Sequence, residues 1–206
     1  MHDQNNASLS IEAQSMAIIE QKVDLSAFHH HESSVIKRII HTTGDLQIYH
    51  AVKFSPSAIS DGIKALGRGA NIYVDVSMVA AGLNGTHLAR LGSEIYCGLH
   101  DQEVEETAKA KNQTRSETAI EIFGKALHNQ IIAIGNAPTA LFKVIELFET
   151  HHIKPALIVG VPVGFVGAKE AKEKLMASGL PYITVSGYKG GSPIAACIVN
   201  ALVRLT

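Results

Sequence analysis

The chain has 206 residues, 46% of them apolar, with 11 histidines, two cysteines and no tryptophan. Its 18 basic and 19 acidic side chains leave a formal charge of −1, so no basic field exists to attract nucleic acid. No apolar run reaches the length of a membrane span, the polar N-terminus lacks a signal-peptide pattern, and Cys97 and Cys197 lack CxxC partners; one cytoplasmic domain, 1–206, with reduced thiols and no protein metal site is expected.

The predicted elements alternate along the chain. A helix over 11–21 leads through a polar, His-rich segment at 24–32 to a second helix over 33–42. A strand at 46–53 and a helix at 56–66 follow, then strands at 71–75 and 94–97 around a short helix at 86–91. Helices at 104–111 and 114–128 precede the apolar run Ile131-Ile-Ala-Ile134, a buried strand by its length and branching. Helix 138–150, strand 156–161, helix 167–178, strand 182–185 and helix 193–205 complete the pattern. Strands alternating with helices predict a three-layer α/β/α domain around a mostly parallel sheet. The last helix is apolar nearly all round, which fits either a core position or a homodimer seam.

Three strand-to-helix turns share one design: Gly135-Asn136-Ala137-Pro138-Thr139, Val161-Pro-Val-Gly164-Phe165-Val-Gly167, and Ser186-Gly-Tyr188-Lys189-Gly190-Gly191-Ser192-Pro193. In a parallel sheet with right-handed crossovers they lie along one edge, where helix N-termini favour an anionic ligand. Asn136 is expected to cap its helix, leaving the N–H groups of its turn free for that ligand. No turn matches a nucleotide-binding loop, and tight-turn glycines alone would explain each of them singly.

Thr114-Arg115-Ser116-Glu117 has the pattern of a capping box and places Arg115 at the first helical position, against the dipole. A bound carboxylate would offset that cost; so would pairing with Glu117 or Glu121. His29-His30-His31 reads as a solvated loop, not a metal tract. His41 differs, because Gly44 suits a left-handed cap and puts the imidazole in the last turn of a helix. There the dipole favours imidazolium, which suits either a proton donor or a simple capping residue.

Arg38-Ile-Ile-His41-Thr-Thr-Gly-Asp45, Thr114-Arg115-Ser116, Gly135-Asn-Ala-Pro-Thr-Ala-Leu141, Val161-Pro-Val-Gly-Phe-Val-Gly167 and Lys189-Gly-Gly-Ser192 together resemble the precorrin-8X methylmutase family, including its cobalt-precorrin-8 members. Phe54-Ser-Pro56 and Asp75-Val-Ser-Met-Val79 add to the resemblance, which spans nearly the whole chain. It implies a flavodoxin-like fold and a cytoplasmic, homodimeric isomerase of cobalamin biosynthesis that moves a methyl group between adjacent ring C carbons without an organic cofactor. The family's catalytic histidine falls on His41, and its supporting serine and arginine fall on Ser15 and Arg115. Substrate-binding positions are then expected at Ser15, Arg115, Asn136, Thr139, Gly164, Phe165, Lys189, Gly190, Gly191 and Ser192. Tyr188 stands where the family pattern has arginine, which removes one expected carboxylate contact. The cobalt form of the substrate is favoured over the metal-free one by length and by His41-Thr-Thr-Gly44. A corrinoid carrier and a nucleotide- or flavin-binding protein are the rival readings.

Overall fold

The computed structural model describes residues 2–206. Its six strands are β1 (Val52–Phe54), β2 (Ile72–Val74), β3 (Ile95–Tyr96), β4 (Ile131–Ile134), β5 (Leu157–Gly160) and β6 (Tyr182–Val185), joined in the order β1-β6-β5-β4-β2-β3. All neighbours are parallel except β1 against β6. Taken without β1, the strands run second-first-third-fourth-fifth, the flavodoxin-like order. The expected fold class is therefore observed, with one antiparallel strand added at an edge.

The central strands β4 and β5 are buried at every position, as strands covered on both faces must be. Ile131, Ala133, Leu157 and Val159 face one core, whereas Ile132, Ile134 and Ile158 face the other. Helices α2 (His30–Thr43), α3 (Ala58–Leu66), α4 (Ser77–Gly82) and α10 (Ser192–Val203) cover the first face. Helices α7 (Arg115–Phe123), α8 (Pro138–His151) and α9 (Ala168–Ala177) cover the second. The nearly all-apolar α10 packs on α2, α3, α4, β4 and β5, so its composition is accounted for within one chain.

Three expectations need correction, and one helix is added. The segment at 46–53 is strand only at β1; before it, the Asp45 carboxylate accepts the Gln47 N–H at 2.9 Å, and Ile48–Ala51 form a 3-10 turn. The helix expected over 114–128 ends at Phe123, where Gly124 takes φ 46° and Gly124–Leu127 continue as a 3-10 turn. Helix α4 was not legible in sequence, being only six residues long. The histidine tract is not a loop: His29 caps α2 and His30 opens it. Among the described residues, no group of three or more His, Cys, Asp or Glu could hold a metal, and no helix is long and apolar enough to cross a membrane.

Candidate active site

The strand order reverses between β2 and β4, and the crevice beyond their carboxyl ends is where such sheets bind ligands. Here that crevice is filled from within. Asp75, only 1% exposed, accepts the Gly135 N–H on Oδ1 at 2.9 Å, and the Asn136 and Ala137 N–H groups on Oδ2, both at 2.7 Å. Burial pushes its carboxyl above the ordinary value, while the three N–H bonds pull the other way. The N–H groups expected to be free for a ligand are thus held by an internal carboxylate. Asn136 does not cap the helix: Ala137 takes the cap position, and the Asn136 side chain is left exposed. A phosphate at this switch point would meet an acidic side chain in place of free N–H donors, which counts against the flavin reading.

Asp75 also anchors the neighbouring helix, because Ser116 Oγ donates to its backbone carbonyl at 2.9 Å. Thr114 caps α7 by accepting the Glu117 N–H at 3.2 Å, and its hydroxyl meets that of Thr139 at 2.7 Å. Arg115 therefore starts α7 as predicted, exposed beside the first turn of α8. Neither acid that might have neutralised it does so. Glu121 pairs with Lys111 at 2.6 Å, and Glu117 faces Gln113 at 3.2 Å and Lys143 at 3.9 Å. Among the described residues no carboxylate lies within ion-pair distance of Arg115.

The other two turns do lie along the same edge as the first, and they are laced to each other. The Gly164 N–H donates to the Tyr188 carbonyl at 3.2 Å and the Gly191 N–H to the Val161 carbonyl at 2.8 Å. Gly167 and Gly191 then start α9 and α10 with no side-chain cap. Phe165, 83% exposed, and Tyr188 stand together at the rim with ring centroids 5.3 Å apart, beside the exposed Val166. Gly190 is required by contact: a Cβ there would lie 2.2 Å from the Val161 carbonyl oxygen and 2.8 Å from that of Pro162. Gly190→Ala should therefore lower the unfolding free energy by about 1–3 kcal/mol. Urea denaturation checks this, and an unchanged midpoint would mean that the loop has a second path.

Lys189 Nζ pairs with Asp45, which ties the glycine-rich turn to the end of α2. That end is built as predicted. Gly44 takes φ 67° and returns its N–H to the Ile40 carbonyl at 2.8 Å, leaving His41 exposed in the last turn. Ser15 lies on α1 (His2–Lys22), which docks on α2 through the Glu12–Arg38 pair at 2.5 Å. Its hydroxyl donates to the Ile11 carbonyl at 2.9 Å, and no hydrogen bond joins it to His41 among the described residues. The structure thus brings Arg115, Asn136, Thr139, Gly164, Phe165 and residues 189–192 to one edge with α2. Ser15 is not joined to them by any such contact.

Comparison with known proteins settles the family. The family model for precorrin-8X methylmutase matches residues 10–205. The chain belongs to the precorrin-8X methylmutase family. Among similar relatives, the cobalt-precorrin-8 methylmutase of Leptospira interrogans is 44% identical, the alignment covering 100% of this chain and 97% of that one. The precorrin-8X methylmutase of Pseudomonas aeruginosa is 40% identical over 94% of this chain and 93% of its own. A crystal structure of precorrin-8X methylmutase from Thermus thermophilus superposes with a TM-score of 0.88 at 36% identity, covering 95% of this chain and 96% of that one. The protein is accordingly an isomerase of cobalamin biosynthesis, a methylmutase.

Two residues that hold the turns of this candidate site are not singled out by the sequence. Asp75 stood in a family-like motif but was given no role. Lys172 was hidden in the charged run Lys169-Glu-Ala-Lys-Glu-Lys174, yet it is fully buried, and its Nζ donates to the Lys189 carbonyl at 2.7 Å. Its spacing with Ala168, Ala171 and Leu175 places it on the buried face of α9, and that was the signal available.

Proposed function

We propose that this methylmutase converts cobalt-precorrin-8 to cobyrinate, moving a methyl group between adjacent carbons of ring C. The observation that carries this reading is the shared edge of Arg115, which has no carboxylate within ion-pair distance among the described residues, and the turns after β4, β5 and β6, with Lys189 reaching Asp45 just beyond α2. A tetrapyrrole offers many carboxylates around a flat apolar ring. Arg115, Lys189 and the uncapped starts of α9 and α10 suit the carboxylates; Phe165 and Tyr188 suit the ring. Exposed at the end of α2, His41 lends a proton to the conjugated system near ring C, which drains electron density and eases methyl migration. The proton returns to the imidazole once the methyl has moved, so the product is an isomer of the substrate. Asn136, Thr139 and Gly164 line the same edge. Ser15 enters only through the family resemblance. The same resemblance carries a cytoplasmic homodimer into this reading.

The cobalt form is preferred because the 44% identical relative carries that name. The 40% identical relative named for precorrin-8X keeps the metal-free substrate as the second reading. Incubating the protein with each substrate and recording absorption spectra tests both. The expected result is conversion to a red-shifted product, faster from the cobalt form. Equal rates would remove the preference, and binding without conversion would mark a carrier.

A further inference from the structure

Lys172 is the largest side chain with no exposure at all, and it sits on α9 behind the glycine-rich turn. A lysine can usually carry its amine to water along its flexible stem; this one does not. Its ammonium has three donors, and among the described residues its one hydrogen bond is to the Lys189 carbonyl at 2.7 Å. A methionine of similar length would fill the same space without the cost of burying an amine. That cost is visible: burial alone lowers the lysine from 10.5 to about 8, with no contribution from any charged group on α8, β6 or the turn.

The bond falls where the turn most needs a support. Residues 188–191 are otherwise tied to the β5 turn by two backbone bonds, Gly164 N–H to Tyr188 and Gly191 N–H to Val161. Lys172 adds a support from a helix, gripping the residue whose side chain reaches Asp45 at the end of α2. The grip is through the main chain, so it sets the direction of the Lys189 side chain without competing for its ammonium.

We propose that Lys172 is a positioning residue for corrinoid binding, holding the 188–191 turn through the Lys189 carbonyl so that Lys189 and the start of α10 face the substrate's carboxylates. This rests on the function proposed above. Lys172 itself touches no substrate; it acts through Lys189.

The test is Lys172→Met, with Lys172→Gln as the second variant should the first fail to fold. Cobyrinate affinity is measured by spectral titration and turnover by the isomerase assay. Expected are a Kd and a KM raised at least tenfold with kcat changed less than threefold. Hydrogen exchange of the 188–191 amides, followed without ligand, should be faster in the variant than in the wild type. Unchanged exchange in either folded variant overturns the proposal whatever the substrate proves to be. Wild-type protein that converts neither substrate would sink the proposed function, and the exchange result would still judge Lys172.

Discussion

His41→Ala is expected to fold as the wild type does and to bind the tetrapyrrole, while losing about 10²–10⁴-fold in kcat. The reason lies in what the imidazole does and does not hold. It is exposed in the last turn of α2, and that turn is closed by Gly44 returning its N–H to Ile40. No hydrogen bond or ion pair among the described residues depends on the imidazole, so its removal should move stability by no more than about 0.5 kcal/mol. The carboxylate contacts proposed for Arg115 and Lys189 would also be left in place, which is why KM should change far less than kcat. Thermal unfolding, corrinoid titration and the spectral assay separate the three quantities. A variant that turns over at the wild-type rate would remove His41 from the chemistry and leave the family assignment untouched.

The largest effect on stability is expected at Asp75. Replacing it with alanine strips three buried or part-buried N–H groups of their acceptor at one stroke. Bonds to a charged acceptor contribute about 1.5–3 kcal/mol each, although water recovers part of that at the partly buried Asn136 and Ala137. A net loss of about 3–5 kcal/mol is the expected outcome in urea unfolding of Asp75→Ala. Asp75→Asn should also be destabilising, because one oxygen becomes an amide that confronts Gly135 or the Asn136–Ala137 pair with a second donor. A change under about 1 kcal/mol in Asp75→Ala would mean that water replaces the carboxylate. Activity should fall in step, since the same turn carries Thr139 and, through the Thr114 hydroxyl, the start of α7 with Arg115.

This carboxylate shows how the site differs from its first reading. The run Ile131-Ile-Ala-Ile134 followed by Gly135-Asn-Ala-Pro138 does form a buried strand and then a helix with proline in its first turn. What the run cannot display is a side chain 60 residues earlier in the chain that closes on it. The N–H groups looked free because only local partners are visible along a sequence. The same limit applies to Lys172. Its charged neighbours Glu170, Glu173 and Lys174 are exposed, so the run looks solvated until helical spacing assigns Lys172 to the buried face.

Local chemistry was readable wherever a few adjacent residues decide the outcome. Thr114 accepting the Glu117 N–H, Gly44 at positive φ, and the parallel sheet implied by alternating elements all follow from short-range sterics, capping and periodicity. Family membership was readable as well, because its motifs are contiguous strings. Tertiary structure alone decided the partners. It sent Asp75 to the Gly135 turn, turned Glu117 and Glu121 away from Arg115, joined Lys189 to Asp45 and put Lys172 beneath the glycine-rich turn. Such pairings depend on which strand ends meet when the sheet closes, and residues far apart in the chain carry no local mark of the acceptor they will find.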